Sequence, residues 1–335
     1  MAKNDVIVKI TQKQVAGSAG FGVPLIIQGK GTTAKAYAEY DSLDAVMEAG
    51  FAQENPIYKQ CAKLFIQNNR PSKVAVCVGT VKVTETLNQI KDKDFRQIIP
   101  ILGSGEGDGA DDTLAELATY IEATEDKMLF VRVADVSELA AIGKMDRTMA
   151  IVYAGADEGV EGALIGATAG LTVGSFTYKN VILKGIAPDP LTDAQIEAIH
   201  KAGGICVVRK AGDVVTSEGT VMSGEYADII DSKDYVIRNI AYKSQKLLNS
   251  SPKLAFDNTG ISQLEGVVTN VLKEASTMGI IAMDDDGVPV YFTDFATRAE
   301  TSEADRAART YNGGKFSFDL AGAIHYATIT GTVEV

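Results

Sequence analysis

A glycine-rich, acidic loop at residues 102–110 is the segment whose residue types most suggest chemistry. The run LGSGEGDGA follows an apolar segment and precedes a helical one, which fits a relaxed dinucleotide-binding fingerprint. A pyrophosphate in such a site lies at the positive end of a helix, and nearby carboxylates weaken anion binding there. Four are present: Glu106, Asp108, Asp111 and Asp112. We therefore interpret the segment as an acidic surface loop followed by a self-capped helix.

A second acidic run, MDDDGVP at residues 283–289, has the composition of a calcium loop. In the register of an EF-hand the first ligand would be Ala282 and the bidentate acid would be Thr293, so both end ligands are missing. Asp286 and Gly287 instead favour a tight hairpin turn. The sequence therefore predicts a turn here and no metal site.

The other candidates for catalysis lack the partners that their chemistry needs. His200 and His325 have no second histidine or cysteine at ligand spacing, which argues against a zinc site. We expect His200 to lie late in a helix and His325 to pack on a neighbour from a strand. Ser250 and Lys253 form an SxxK pair without the other motifs of a serine acyl enzyme. We therefore expect no catalytic residue, metal or cofactor.

Composition and charge limit the partners of the chain. Its 335 residues are 46% hydrophobic, which is enough for two domains with apolar cores. The 44 acidic and 32 basic residues give a net charge of −12, which disfavours binding to nucleic acid or anionic membranes. Neither a signal peptide nor a membrane-spanning segment is expected. Three cysteines in apolar contexts favour reduced thiols and synthesis in a cytoplasm: Cys61, Cys77 and Cys206.

Strand and helix patterns alternate along the first half of the chain. The early elements are predicted at 23–28 (strand), 42–50 and 57–68 (helices) and 73–79 (strand). The later ones are strands at 97–102, 128–133 and 148–153 and helices at 113–124 and 136–142. This alternation is typical of a layered α/β domain with a partly parallel sheet. Glycine- and alanine-rich residues 154–173 predict a helix packed very closely on its neighbour.

The pattern changes after residue 174. The FTYK run at 176–179 is expected on a strand. Thr192 and Gln195 form a capping box for a helix that ends at Gly203 or Gly204, and a buried strand follows at 204–209.

The next signals are a hairpin and two long helices. The hairpin is predicted at residues 213–222, around Ser217-Glu218-Gly219. Asp231 or Ser232 is expected to cap a helix, and a second helix is predicted at 260–278.

This order of features resembles the core signature of the contractile tail sheath proteins over residues 174–238. A second match runs from Arg306 and Arg309 through GKFSFDLAGAIHYATITGTVEV to the final residue. The resemblance implies an α/β (mixed α+β) fold of two-layer or three-layer domains with extended N- and C-terminal β-strand arms. It implies a structural subunit and not an enzyme.

The resemblance also implies how the chain works. Subunits would form a helical homo-oligomer of stacked, roughly hexameric rings around a tail tube protein, with baseplate and tail terminator proteins at the ends. Contraction would drive the tube through a cell envelope. The subunit would belong to a virion or tailocin particle assembled in the cytoplasm of a bacterial host. It would bind no nucleic acid and would not insert into a membrane.

Four parts of the chain are expected from the pattern and the resemblance together. They are an N-terminal arm at residues 1–20, an α/β domain at 21–170 in the outer part of the sheath that also contributes to its core, a sheath core domain at 171–320 and a C-terminal strand arm at 321–335.

Both ends of the chain alternate as strands do, and two accounts of them remain open. They pair either within their own subunit or with other subunits, where each adds a strand to an incomplete sheet. The candidate exchange residues are Val6, Val8, Ile10, Ala327, Ile329, Val333 and Val335. Gly17, Gly20 and Gly22 are candidate hinges beside the N-terminal strand.

Two other classes of protein stay open. One is a nucleotide-binding α/β enzyme built on the middle of the chain, and the other is a non-contractile tube or surface-layer protein. The strand–helix alternation at residues 97–153 disfavours a tube subunit, which we expect to be smaller and mostly antiparallel β.

Overall fold

The computed structural model describes residues 21–103, 111–155 and 158–327. An eight-stranded mixed sheet lies at the centre of the fold. Its strands are β1 (Val23–Gln28), β2 (Lys35–Tyr40), β3 (Val74–Val78), β4 (Phe95–Ile101), β5 (Met128–Val133), β6 (Thr148–Val152), β7 (Ile205–Lys210) and β8 (Asp213–Thr216). Their order is β2-β3-β1-β4-β5-β6-β7-β8, and the six inner strands are parallel. The expected partly parallel sheet is confirmed.

Helices cover both faces of this sheet, so the fold has three layers. One face is covered by α1 (Leu43–Glu48), α2 (Pro56–Phe65) and α6 (Val160–Thr168). The other is covered by α3 (Val83–Gln89), α4 (Leu114–Glu122), α5 (Leu139–Ile142) and α7 (Asp193–Lys201). Side chains alternate across the sheet, since Ile26 of β1 faces the first group while Leu25 and Ile27 face the second. The inner strands are mostly apolar because both their faces are buried, with Arg96 and Gln97 at the start of β4 among the exceptions.

The close contact between α6 and α2 explains why residues 154–173 are rich in glycine and alanine. A Cβ at Gly162 would lie 2.4 Å from the carbonyl oxygen of Gln60, and one at Gly166 would lie 2.4 Å from that of Leu64. Both carbonyls belong to α2, so the two helices touch backbone to backbone. The predicted close packing of this helix is confirmed.

A smaller unit follows the large sheet. It consists of α8 (Ala227–Ser250), α9 (Asn258–Thr277), a two-stranded sheet of β9 (Tyr291–Phe295) and β10 (Gly314–Phe318), and the short α10 (Glu303–Ala308). Val236 and Ile240 of α8 share a separate apolar cluster with α9, and both strands pack against that cluster. The boundary expected at residue 170 stays a prediction; strands from both sides of it form the large sheet.

Three local expectations for residues 174–250 are wrong. The hairpin turns at Ala211-Gly212, between β7 and β8, where both residues have positive φ (49° and 95°). Ser217 and Glu218 are buried beyond the end of β8 instead. The FTYK run at 176–179 is irregular and not a strand, and the chain turns directly after it at Asn180, with φ 58°.

The third error concerns the start of α8. The helix begins at Ala227, one turn earlier than expected, and Asp231 and Ser232 are buried within it. Asp231 accepts hydrogen bonds from Arg96 of β4 (2.5 Å) and from the Tyr178 hydroxyl (2.8 Å). The carboxylate of Asp231 therefore bonds to residues far away in the sequence instead of capping the helix. A local capping pattern cannot predict such a contact.

Asp234, one turn further along α8, completes a buried group of charges. Arg96 approaches it to 2.7 Å, and Arg147 donates two hydrogen bonds to it, at 2.8 and 2.9 Å. Burial opposes ionisation of Asp234, but the two guanidiniums outweigh it and lower the pKa of Asp234. Burial raises the pKa of Asp231 in spite of Arg96. These pairs fix the start of α8 to the amino-terminal ends of two interior strands of the large sheet, β4 and β6.

Candidate functional site

The two-stranded sheet is the candidate site for strand exchange. Gly314 pairs with Phe295, Phe316 with Thr293 and Phe318 with Tyr291. Its inner face packs on α9, and its outer face exposes Phe292, of which 63% is accessible to solvent. Within residues 21–103, 111–155 and 158–327, no strand pairs with the far side of either β9 or β10.

The backbone direction identifies groups available at the β9 edge. Ala296, just beyond β9, donates its N–H to the carbonyl oxygen of Gly313, just before β10. Backbone groups alternate in direction along a strand, so the N–H groups of Thr293 and Phe295 point away from β10. Such an edge can accept one more strand through main-chain hydrogen bonds.

Most of the predicted exchange and hinge residues lie outside the residues that the structure describes. These are Val6, Val8, Ile10, Gly17, Gly20, Ile329, Val333 and Val335. Gly22 has φ 89° just before β1, with the backbone of Arg96 3.0 Å from where its Cβ would be. Ala327 is exposed and lies outside any strand of the single chain. Their roles in exchange and hinge motion stay predictions.

A buried polar notch was not found from the sequence. It consists of Thr177, Lys179, Glu218 and Tyr226, and it holds the side chains of the C-terminal segment. Lys179 donates to Glu218 over 2.8 Å, and their side chains are only 2% and 9% exposed. Hydrogen bonds from Lys179 and Tyr326 outweigh burial and lower the pKa of Glu218. An ion pair with a sequence separation of 39 leaves no local signal, although both residues lie in the stretch that carries the family resemblance.

His325, expected on a strand beside a neighbour, lies in this notch instead. Its Nε2 is 3.1 Å from the Thr177 hydroxyl, and its ring meets the Tyr226 ring edge to face with centroids 4.6 Å apart. The packing on a neighbour is as expected. The strand is absent in the described residues up to Ala327.

The acidic loop gives a different result from the one expected. Residues 104–110, including Glu106 and Asp108, lie outside the described residues. Asp111 is buried, and its carboxylate accepts the backbone N–H of Val83 (2.9 Å) and Gly103 (3.1 Å). Asp112 accepts the N–H of Thr84 at 2.7 Å. Both residues therefore cap α3 from another loop, and interpreting Asp111 as a surface residue was wrong.

This capping bears on the nucleotide hypothesis. Asp111 lies where the carboxyl ends of β1, β3 and β4 meet. The chain leaves β1 toward one face of the sheet and β4 toward the other, and doubly wound sheets bind ligands at such a point. A Cβ at Gly29 would lie 2.3 Å from the Asp111 carboxylate. The carboxylate thus occupies the position beside the strand ends where a phosphate would need to lie.

The remaining candidates behave as local structure. Asp284 accepts the N–H groups of Asp286 and Val288, and Gly287 has φ 75°, so the expected turn is confirmed. His200 lies in the last turn of α7, where its Nε2 is 2.8 Å from the Ser217 hydroxyl, and burial lowers its pKa. Among the described residues, no three acidic, histidine or cysteine side chains could hold a metal ion. No helix among those residues is long and apolar enough to cross a membrane.

Comparisons with known proteins agree with this architecture. The chain is 12% identical to the contracted sheath complex of an extracellular contractile injection system (PVC), with a TM-score of 0.73 over 100% of this chain and 98% of the other. It is also 12% identical to the contracted helical sheath of the anti-feeding prophage, with a TM-score of 0.70 over 98% and 100%. The sheath tail protein of Listeria innocua gives 0.59 at 10% identity, over 91% and 97%.

Sequence comparison gave no match, either to a protein-family model or to a curated protein. The fold is that of a subunit of contractile sheaths. The resemblance inferred from residues 174–238 is thus confirmed at the level of the fold, including the mixed α/β class.

Proposed function

We propose that this chain is a structural subunit of a contractile tail sheath. It would polymerise helically around a tail tube and contract to drive the tube through a target cell envelope. The observation that carries the proposal is the two-stranded sheet with its outer edges unpaired among the described residues, in a chain whose ends have the pattern of strands. Strand addition from two neighbours would complete that sheet.

The partners follow from the same proposal. A head-to-tail exchange of strands joins different surfaces of identical subunits, so it builds helices of stacked rings and not closed dimers. The other partners would be the tube protein along the lumen and the baseplate and terminator proteins at the ends. The subunit would be assembled in the bacterial cytoplasm and would belong to a phage or tailocin particle.

A structural role needs no active site, and the alternatives have less support. The carboxylate of Asp111 blocks the strand-end position that a nucleotide would need. A long, mostly parallel sheet covered by helices on both faces differs from the antiparallel β architecture expected of a tube subunit.

The experiment uses one substitution at the β9 edge and a matched control. Thr293→Pro removes the outward N–H but is compatible with an edge strand. Thr293→Val keeps that N–H while it removes the hydroxyl that donates to Glu265 at 2.9 Å. In negative-stain electron microscopy, the unmodified protein and Thr293→Val should form hollow helical polymers or rings, and Thr293→Pro should stay monomeric.

The melting temperature of each variant shows that the subunit is still folded. Polymers of Thr293→Pro as long as those of the unmodified protein would contradict exchange at this edge. An unmodified protein that forms no polymer at any concentration would contradict the sheath function itself.

A further inference from the structure

The C-terminal segment enters the body of its own subunit at one place. Residues 322–327 form no helix or strand, and Ile324 is 89% exposed. The side chain of His325, by contrast, is only 9% exposed. An otherwise exposed segment that buries one polar side chain has a specific attachment point.

Two neighbouring side chains of the segment, His325 and Tyr326, attach it to the polar notch. The Tyr326 hydroxyl donates to Glu218 Oε2 at 2.9 Å. Lys179 Nζ lies 3.5 Å from the centroid of the Tyr326 ring, so the ring covers the ammonium group and makes a cation–π contact. Tyr326 thus contacts both members of the buried ion pair at once.

His325 lies beside the other oxygen of the same carboxylate. Glu218 Oε1 and His325 Nδ1 are buried atoms that have no hydrogen-bond partner within the described residues. They lie 3.6 Å apart, which is close packing but too long for a hydrogen bond. Thr177 and Tyr226 hold the imidazole ring from its other sides.

The charges of the notch explain why it needs this cover. A buried ion pair is stable only when its remaining donors and acceptors are satisfied and water is excluded. Thr177, Lys179, Glu218 and Tyr226 come from the body. Tyr326 of the tail donates to Glu218 and covers Lys179, and His325 packs against Thr177 and Tyr226 beside the same carboxylate.

We propose that His325 and Tyr326 anchor the base of the C-terminal arm in the subunit's own notch. The arm role rests on the proposed sheath function, whereas the anchor is a property of the single chain. The base of the arm is then held within the subunit, and only residues beyond Ala327 are free to pair with a neighbour. Fully extended, the eight residues 328–335 reach at most about 29 Å from that point. The anchor therefore limits which neighbouring edge they can meet.

A spin label at Ile324→Cys tests the anchor in the unassembled chain. The three native cysteines are buried, so labelling is selective. Tyr326→Phe removes only the hydroxyl, and His325→Ala together with Tyr326→Ala removes both contacts. The rotational correlation time of the label should shorten several-fold in the double variant and by less in Tyr326→Phe. Ala323→Ser, at an exposed position of the same segment, should leave it unchanged. An unchanged spectrum in the double variant would overturn the proposal.

The receptor side provides a second measurement. Glu218→Met, which has no oxygen acceptor, should free the label as Tyr326→Phe does, and combining the two should add little, because both remove the same hydrogen bond. Fully additive effects would also overturn the anchor. If Glu218→Met unfolds the chain, the spectra of the tail variants still test the anchor, since those variants leave the ion pair intact. If the label becomes mobile in the double variant and the unmodified protein never polymerises, the anchor is supported and only the sheath function is contradicted.

Discussion

The two sheets of this protein differ in how far their edge strands are protected from pairing with other chains. At one end of the large sheet, residues 180–183 bond to β8 and cover it, and at the other end β2 carries the charged residues Lys35 and Glu39. On β9 no segment of the described residues covers the outer edge, and an exposed Phe292 lies there beside outward N–H groups, with Asp294 as the charged residue of the strand. Natural proteins protect exposed edges from pairing with other chains. An edge left open on one sheet and protected on the other indicates an edge kept for a partner.

The largest expected difference between the two sheets comes from introducing an aspartate into each of them. Ile99→Asp puts a carboxylate at a fully buried position of β4, where its desolvation has no compensation and should unfold the chain. Phe292→Asp, on the exposed face of β9, should leave the melting temperature within a few degrees and abolish polymers. Circular dichroism melts and electron microscopy measure the two outcomes. A large loss of stability in Phe292→Asp would remove the contrast between the sheets.

The second prediction tests the donor of the strand. If Val8 and Ile10 dock into a neighbour's small sheet, each buries a side chain worth roughly 1.5–3 kcal/mol. Val8→Glu with Ile10→Glu should therefore prevent polymers and leave the subunit folded, while Lys9→Gln on the other face should assemble. Unfolding of the isolated double variant, measured by thermal melting, would place the strand within its own domain.

A third, smaller effect is expected at the carboxyl end of the large sheet. Asp111→Ala removes the acceptors for three backbone N–H groups and should lower the free energy of unfolding by about 1–2 kcal/mol. Asp108→Ala is the matched control in the same acidic run and should have little effect. Urea titration measures both. Equal, negligible changes would restore the surface interpretation of Asp111.

The smallest effect concerns pH. Burial lowers the pKa of His200 below its unfolded value of about 6.5, so the neutral ring is favoured in the folded state. The stability that it contributes is present above that value and is lost as the pH falls. When the pH falls from 7.5 to 5.5, the melting temperature of His200→Gln should therefore decrease by less than that of the unmodified protein. A steeper loss in the variant would reverse the sign and contradict the assignment.

Local pattern predicted the elements of the large sheet well. The runs at 23–28 and 128–133 are buried on both faces, so every side chain in them is informative. The less apolar β2 and the short α3 were not predicted. Capping at Thr192 was correct because the box is complete within four residues. Asp231, Asp111 and Glu218 were misread or missed, because their partners lie 135, 28 and 39 positions away.

In mechanical terms, α8 is a cantilever. Its 24 residues, rising about 1.5 Å each, span roughly 36 Å. The helix is clamped near its start, where Asp231 and Asp234 are held by Arg96 and Arg147, and further along it packs on α9 behind the small sheet. A pull applied at that sheet by a neighbouring subunit would reach the clamp as torque. With two carboxylates and two guanidiniums locked at the fulcrum, the large sheet would turn together with the helix instead of yielding to it.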